Sequence, residues 1–180
     1  MVYEPQEDSH LLRQCLPKDL SGKKVVEVGC GSGVISVACA QRGGDVVAVD
    51  VDPAAVAATR KAARDARVTV VACEGDLFGP VRDERFDYVI CNPPYLPTDP
   101  KRPDVALDGG PEGWEFTARF LKEASDHLTD SGKALLLFSS HTKPDKVAAL
   151  IHENKFSSKL LGKKEVGFFE EVFVVELVQD

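Results

Sequence analysis

Long apolar runs are missing from this sequence. None approaches the roughly 18 consecutive residues that a bilayer-crossing helix needs, so no membrane span is expected. No basic segment followed by an apolar stretch opens the chain, and a signal peptide is not expected either. Cys-x-x-Cys pairs are absent: Cys15, Cys30, Cys39, Cys73 and Cys91 are odd in number and scattered. Several stand inside apolar runs, where cysteine behaves as a small hydrophobe. A zinc site and a disulfide framework are therefore not expected, and a reducing, cytoplasmic compartment is. Positive charge is scarce as well. There are 22 Lys and Arg against 29 Asp and Glu, for a net charge of -7 and a pI near 5.2. Nucleic-acid binders cluster Lys and Arg against phosphates. The clearest basic cluster here, Arg60, Lys61, Arg64 and Arg67, has the spacing of a solvated helix face. Direct contact with nucleic acid is not expected of this chain alone.

What is present is a globular pattern. Hydrophobic residues make up 43% and charged residues 28% of 180 positions, which suits one domain over residues 1–180. Short β-rich runs alternate with helical segments. Residues 24–28 (KVVEV), 45–49 (DVVAV), 67–73 (RVTVVAC) and 86–91 (FDYVIC) read as strands. Between them, residues 33–42 and the Ala-rich 53–66 read as helices, with Pro53 suited to a first helical turn. Residues 92–113 form a long irregular stretch holding six prolines and three glycines. Loops of that length are uncommon and are usually functional. A helix over 115–128, a strand over 133–139, a helix over 143–154 and two closing β-runs, 156–161 and 172–177, follow. Gly162 and Gly167 lie between those last two. Such alternation implies a mainly parallel sheet covered on both faces, and the closing strand pair requires an antiparallel edge. Ligands in sheets of this type bind beyond the carboxyl ends of the strands.

Each chemistry-bearing motif falls at one of those ends. The first strand runs into Glu27-Val28-Gly29-Cys30-Gly31-Ser32-Gly33. Glycines there allow a tight turn and close approach of a ligand to the backbone. The dinucleotide fingerprint would need Gly at position 34, where Val34 stands. A carboxylate at Glu27 would repel a pyrophosphate and suits a cationic amino group. Asp50 ends the second strand, where an acidic side chain can accept both hydroxyls of a ribose; Asp52, before Pro53, is the better helix cap. Asp76, after the third strand, can accept from an adenine amine while Leu77 packs near the ring. Alone, Asp76 would read as a turn aspartate.

Asn92-Pro93-Pro94-Tyr95 ends the fourth strand. Methylating a planar nitrogen requires its lone pair, normally delocalised, to point at an electrophilic methyl. The Asn92 side-chain oxygen and the Pro93 carbonyl can each accept one N–H of the target. That orients the nitrogen and favours its pyramidalisation. Pro93 and Pro94 stiffen the loop, and Tyr95 offers a flat wall. No acid–base dyad is needed for this chemistry.

Together the glycine turn, Asp50, Asp76 and the NPPY motif resemble the HemK-type glutamine methyltransferases, which modify the Gly-Gly-Gln loop of class I peptide-release factors. The opening Val2-Tyr3-Glu4-Pro5-Gln6-Glu7-Asp8-Ser9 is similar to the short archaeal and eukaryotic branch. So is Ala106-Leu107-Asp108-Gly109-Gly110-Pro111-Glu112-Gly113. The resemblance implies a class I S-adenosylmethionine-dependent fold: a Rossmann-like seven-stranded sheet whose last strand is inserted antiparallel. It further implies that Ser9, Glu27, Gly29, Gly31, Asp50, Asp76, Leu77 and Asn92 contact the donor. Ser9 stands where threonine is more usual in that branch, and both offer a hydroxyl. Read without the resemblance, Asp8-Ser9 is a helix N-cap. Bacterial members carry an additional helical domain that this sequence does not show. The short branch resembles a catalytic subunit paired with a small zinc-binding activator, which implies a heterodimer here. The apolar third strand, with Arg67 its one charge, is the expected docking edge.

Two rival readings remain at this stage. The NPPY motif also occurs in methyltransferases acting on amines of adenine or guanine in DNA or RNA, against which the acidic balance argues. A non-catalytic partner subunit would retain only the fold, against which the intact motif argues.

Overall fold

Valine-rich runs lie at the centre of the sheet because alternate residues along them need cover on opposite faces. In the computed structural model, which describes residues 7–104, 106–166 and 169–180, β1 (Lys24–Val28) runs parallel to β2 (Asp45–Asp50) on one side and to β4 (Phe86–Cys91) on the other. Val26, Val28, Val89 and Cys91 join the core on one face, and Val25, Val46 and Ile90 join the core on the other. The full sheet has seven strands in the order β3-β2-β1-β4-β7-β9-β8, where β3 is Val71–Glu74, β7 Leu128–Ser139, β8 Phe156–Val166 and β9 Glu170–Gln179. β9, last in sequence, lies antiparallel between β7 and β8, as expected. Helices α1 (Glu7–Cys15) and α2 (Val34–Gln41) close one face through Leu11, Leu12, Ile35 and Cys39. Helices α4 (Glu115–Ala124) and α5 (Pro144–Glu153) close the other through Phe120, Leu121, Val147 and Ile151. α3 (Pro53–Asp65) packs beside α2. Among the described residues, no helix is long and apolar enough to cross a membrane.

The structure departs from the expected boundaries in four places. The third strand covers Val71–Glu74 and not residues 67–73. Arg67 adopts a left-handed backbone with φ 57°, and Val68 N–H bonds back to Ala63 at the end of α3, so residues 67–70 turn the chain before pairing begins. The helix expected over 115–128 ends at Ala124, because the 3-10 turn Ser125–His127 leads into an extended Leu128 already paired with Phe86. The two closing strands are longer than the apolar runs suggested: their outer halves are polar but hydrogen-bonded to each other from Phe156↔Gln179 to Val166↔Glu170. Gly162 is therefore not a connector but a strand position, where a Cβ would come within 2.7 Å of Cys15 Sγ on α1. Finally, the stretch 92–113 contains a small parallel pair, β5 (Leu96–Pro97) with β6 (Asp108–Gly110). Gly109 allows this fold-back, since a Cβ there would sit 2.7 Å from the Pro94 carbonyl. Residues 2–6 of the opening motif and Gly167 lie outside the described residues.

Candidate active site

The order of strands reverses between β1 and β4, and the ends of these strands with β2 and β3 open onto a cleft of about 1210 Å³. Beyond β1, Gly29, Gly31 and Gly33 all have positive φ, and a Cβ on Gly33 would lie 2.8 Å from Thr59 Cα. The turn is thereby pressed against α3 in a form side chains would obstruct. Asp50 ties it in place: Oδ2 accepts Gly31 N–H at 2.9 Å and Oδ1 accepts Asp52 N–H at 2.9 Å. Each oxygen keeps a lone pair for a further donor such as a ribose hydroxyl. Asp52 caps α3 through Ala54 N–H at 2.8 Å, which leaves Asp50 to the cleft.

Glu27 is only 3% exposed and accepts a hydrogen bond from Ser36. Burial pushes its carboxyl up to about 8, with Ser36 opposing the shift and the nearby Asp50 charge adding to it. Near neutral pH this acid is largely protonated until a cation arrives. Asp76 forms an ion pair with Arg119 of α4 at the cleft rim. Leu77 beside it holds a left-handed φ of 48° and is buried in the core, a conformation that costs a non-glycine residue and often marks a functional turn.

At the end of β4, Asn92 Nδ2 donates to Asp8 Oδ2 at 3.2 Å. Asn92 Oδ1 is buried and meets no partner among the described residues. Tyr95 is half-buried; burial, then Asp8 and Glu170, hold its hydroxyl well above the usual phenol range, and that hydroxyl bonds Glu170. Glu170 also accepts from Ser139 Oγ at 2.7 Å. Asp8 and Ser9 do not cap a helix at its mouth: both are buried inside the first turn of α1.

Ser9, Glu27, Gly29, Gly31, Asp50, Asp76, Leu77, Asn92, Pro93, Pro94 and Tyr95 all line this one cleft. Sequence reasoning gave no site role to three further lining residues, Asp8 (read only as part of a helix cap), Arg119 and Glu170. Asp8 had a signal, its place beside Ser9. Arg119 looks like any charged residue on an amphipathic helix, and Glu170 reaches the cleft only because β9 turns back beside β7.

The acidic lining suits a cationic ligand, with Arg119 already engaged by Asp76. S-adenosylmethionine carries a sulfonium and an ammonium, with ribose hydroxyls and an adenine amine that donate hydrogen bonds. Glu27, Asp50 and Asp76 provide acceptors for these groups, and the glycine turn provides room. A polyphosphate would meet carboxylates in the same places. Among the described residues, no group of three His, Cys, Asp or Glu is placed to hold a metal ion. The five cysteines are free, and burial pushes the Cys30 and Cys39 thiols up to about 12.

Comparison with known proteins bears on the fold and the family. The methyltransferase small domain family matches residues 4–168. A candidate protein N5-glutamine methyltransferase of Methanocaldococcus jannaschii is 37% identical over 97% of this chain and 90% of its own length. The human methyltransferase HEMK2 is 32% identical over 83% of this chain and 77% of its own. Among solved structures, the E. cuniculi Mtq2–Trm112 complex, responsible for methylation of the eRF1 translation termination factor, contains a similar chain. It superposes with a TM-score of 0.81 at 27% identity, covering 99% of each chain. The chain belongs to the methyltransferase small domain family and, within it, to the S-adenosylmethionine-dependent protein N5-glutamine methyltransferases.

Proposed function

We propose that this enzyme methylates the side-chain amide of the glutamine in the Gly-Gly-Gln loop of a class I peptide-release factor. The observation that carries the reading is Asn92 Oδ1, a buried acceptor without a partner among the described residues, lining the cleft beside the acidic donor-binding end. Buried polar atoms are almost always satisfied, so an orphan here suits an acceptor kept for substrate N–H. The similarity to a complex that methylates a termination factor supports the choice of substrate.

S-adenosylmethionine would supply the methyl group, and Glu27, Asp50 and Asp76 would hold it, with Ser9, Gly29, Gly31 and Leu77 around it. The protein's remaining task is to position the target. Asn92 Oδ1 and the Pro93 carbonyl accept the two N–H groups of the glutamine amide. As the nitrogen pyramidalises, these acceptors hold its lone pair toward the methyl and strengthen toward the transition state. The Tyr95 ring forms a wall beside the planar amide, and Pro93-Pro94 restrict the loop. Positioning of this kind can contribute up to roughly 7–11 kcal/mol to lowering a barrier. The amide nitrogen would gain the methyl as the bond between that methyl and the donor sulfur breaks, leaving S-adenosylhomocysteine, and would lose one proton to solvent.

Residues 1–180 act in this reading as one methyltransferase domain in the cytoplasm, paired with a small zinc-binding activator. Its proposed docking edge is β3, the outermost strand at one side of the sheet, where Val71 is 52% exposed. An added strand there would satisfy open main-chain groups. The acidic cleft disfavours a polyanionic nucleic acid.

The test is mass spectrometry of a class I release factor after incubation with the enzyme, labelled donor and, in a parallel arm, co-expressed activator. One methyl on the Gly-Gly-Gln glutamine is the expected product. No product in either arm, from a chain that binds the donor, would overturn the substrate assignment.

A further inference from the structure

The two ends of the Asn92 side chain are chemically opposite and nearly equal in shape. Turned over by half a rotation, the amide would present its NH2 to the cleft and no acceptor. A target N–H would then meet another N–H. Holding the productive orientation requires a neighbour that accepts from Nδ2 and donates nothing. Asp8 is placed to do this. Its Oδ2 accepts from Asn92 Nδ2 at 3.2 Å, and its Oδ1 accepts from Ser9 N–H at 2.6 Å. Both oxygens therefore face donors. The side chain is 3% exposed, and low dielectric strengthens a charge-assisted hydrogen bond. On the far side of the amide, Oδ1 is left buried without a partner among the described residues.

We propose that Asp8 is a positioning residue for methyl transfer, locking the Asn92 amide with its oxygen toward the target nitrogen. The inference rests on the acceptor role given to Asn92 above. Asp8 acts through Asn92, and its carboxylate makes a choice between two orientations that packing alone leaves open.

Asp8→Asn tests this with almost no change in shape. The Ser9 N–H needs an oxygen on its side, so the new NH2 faces Asn92 and favours the inverted amide. Turnover of the release factor should fall about 10-fold or more at saturating donor. The donor dissociation constant, measured by calorimetry, should change by less than about 3-fold, with melting temperature nearly unchanged. The double variant Asp8→Asn, Asn92→Asp exchanges donor and acceptor: the amide at position 8 donates to a carboxylate at position 92, whose second oxygen faces the cleft. It should turn over several-fold faster than Asp8→Asn. Asn92→Asp alone sets two carboxylates against each other and should also be slower than the double variant.

If Asn92→Ala retains normal turnover, the acceptor reading falls and this inference falls with it. If Asn92→Ala is inactive while Asp8→Asn turns over normally, only this inference is overturned. A proportional loss of donor affinity, or a double variant no faster than either single, overturns it too. Should Asp8→Asn not fold, the comparison of the double variant with Asn92→Asp decides the question.

Discussion

The two halves of the cleft are built differently. The donor half is made of residues at the ends of β1, β2 and β3, where backbone N–H groups of the adjoining turns, Gly31 and Asp52, donate to the Asp50 carboxylate across 19 and two positions. The target half is collected from distant parts of the chain. Asn92 meets Asp8 across 84 positions, and Glu170, bonded to Tyr95, meets Ser139 across 31. A site stitched into local turns survives the loss of one side chain with weaker binding. A site assembled from tertiary contacts depends on orientation, and misplacing one group lowers the rate more than the affinity.

The largest expected effect is in the target half. Asn92→Ala should lower turnover roughly 100-fold or more, the range for removing a group that stabilises the transition state, with donor affinity falling far less. Isothermal titration beside methyl-transfer kinetics separates the two. Next comes Asp76→Ala, which should weaken donor binding by about 1.5–3 kcal/mol, or roughly 10- to 150-fold. It also frees Arg119 from its ion pair at the rim. Asp76→Ala with Arg119→Ala should therefore bind donor better than Asp76→Ala alone; equal affinities would mean the released cation is without influence.

Glu27 gives the comparison a pH axis. Because its carboxyl is raised from 4.5 to about 8 in the fold, its neutral form contributes stability that is complete below pH 4.5 and lost as pH rises through about 8. Donor-free Glu27→Gln should lose less melting temperature than the parent chain over that window. Its donor affinity should be weaker, and should lack the increase with pH that the parent shows as the carboxylate forms. Parallel melting curves for the two proteins would remove Glu27 as the titrating group. The smallest effect belongs to Tyr95→Phe, which keeps the wall and loses the bond to Glu170. A decrease of about 2- to 10-fold in kcat/KM on the release factor is expected, and Tyr95→Ala should be worse.

The same contrast explains what could be read from the sequence. Glycines, Asp50, Asp76 and Asn92 were legible because each follows a strand whose apolar run marks where the chain meets the cleft. The mainly parallel sheet and its antiparallel closing pair were legible too, through alternation, while the insertion of the last strand came from the resemblance to the HemK-type family. Glu170 was not, since its place depends on β9 returning beside β7. Nor was the true start of β3, because a left-handed Arg67 overrides a β-branched run. The end of α4 was set by an extended Leu128 pairing with Phe86, a tertiary contact that helix periodicity does not carry.

Single-turnover methyl transfer to a release factor, measured against donor concentration for Asp76→Ala and Asn92→Ala side by side, tests the division most directly. The account predicts that saturating donor restores Asp76→Ala to near the parent rate and leaves Asn92→Ala slow at every concentration. Recovery of Asn92→Ala by excess donor, or failure of Asp76→Ala to recover, would contradict it.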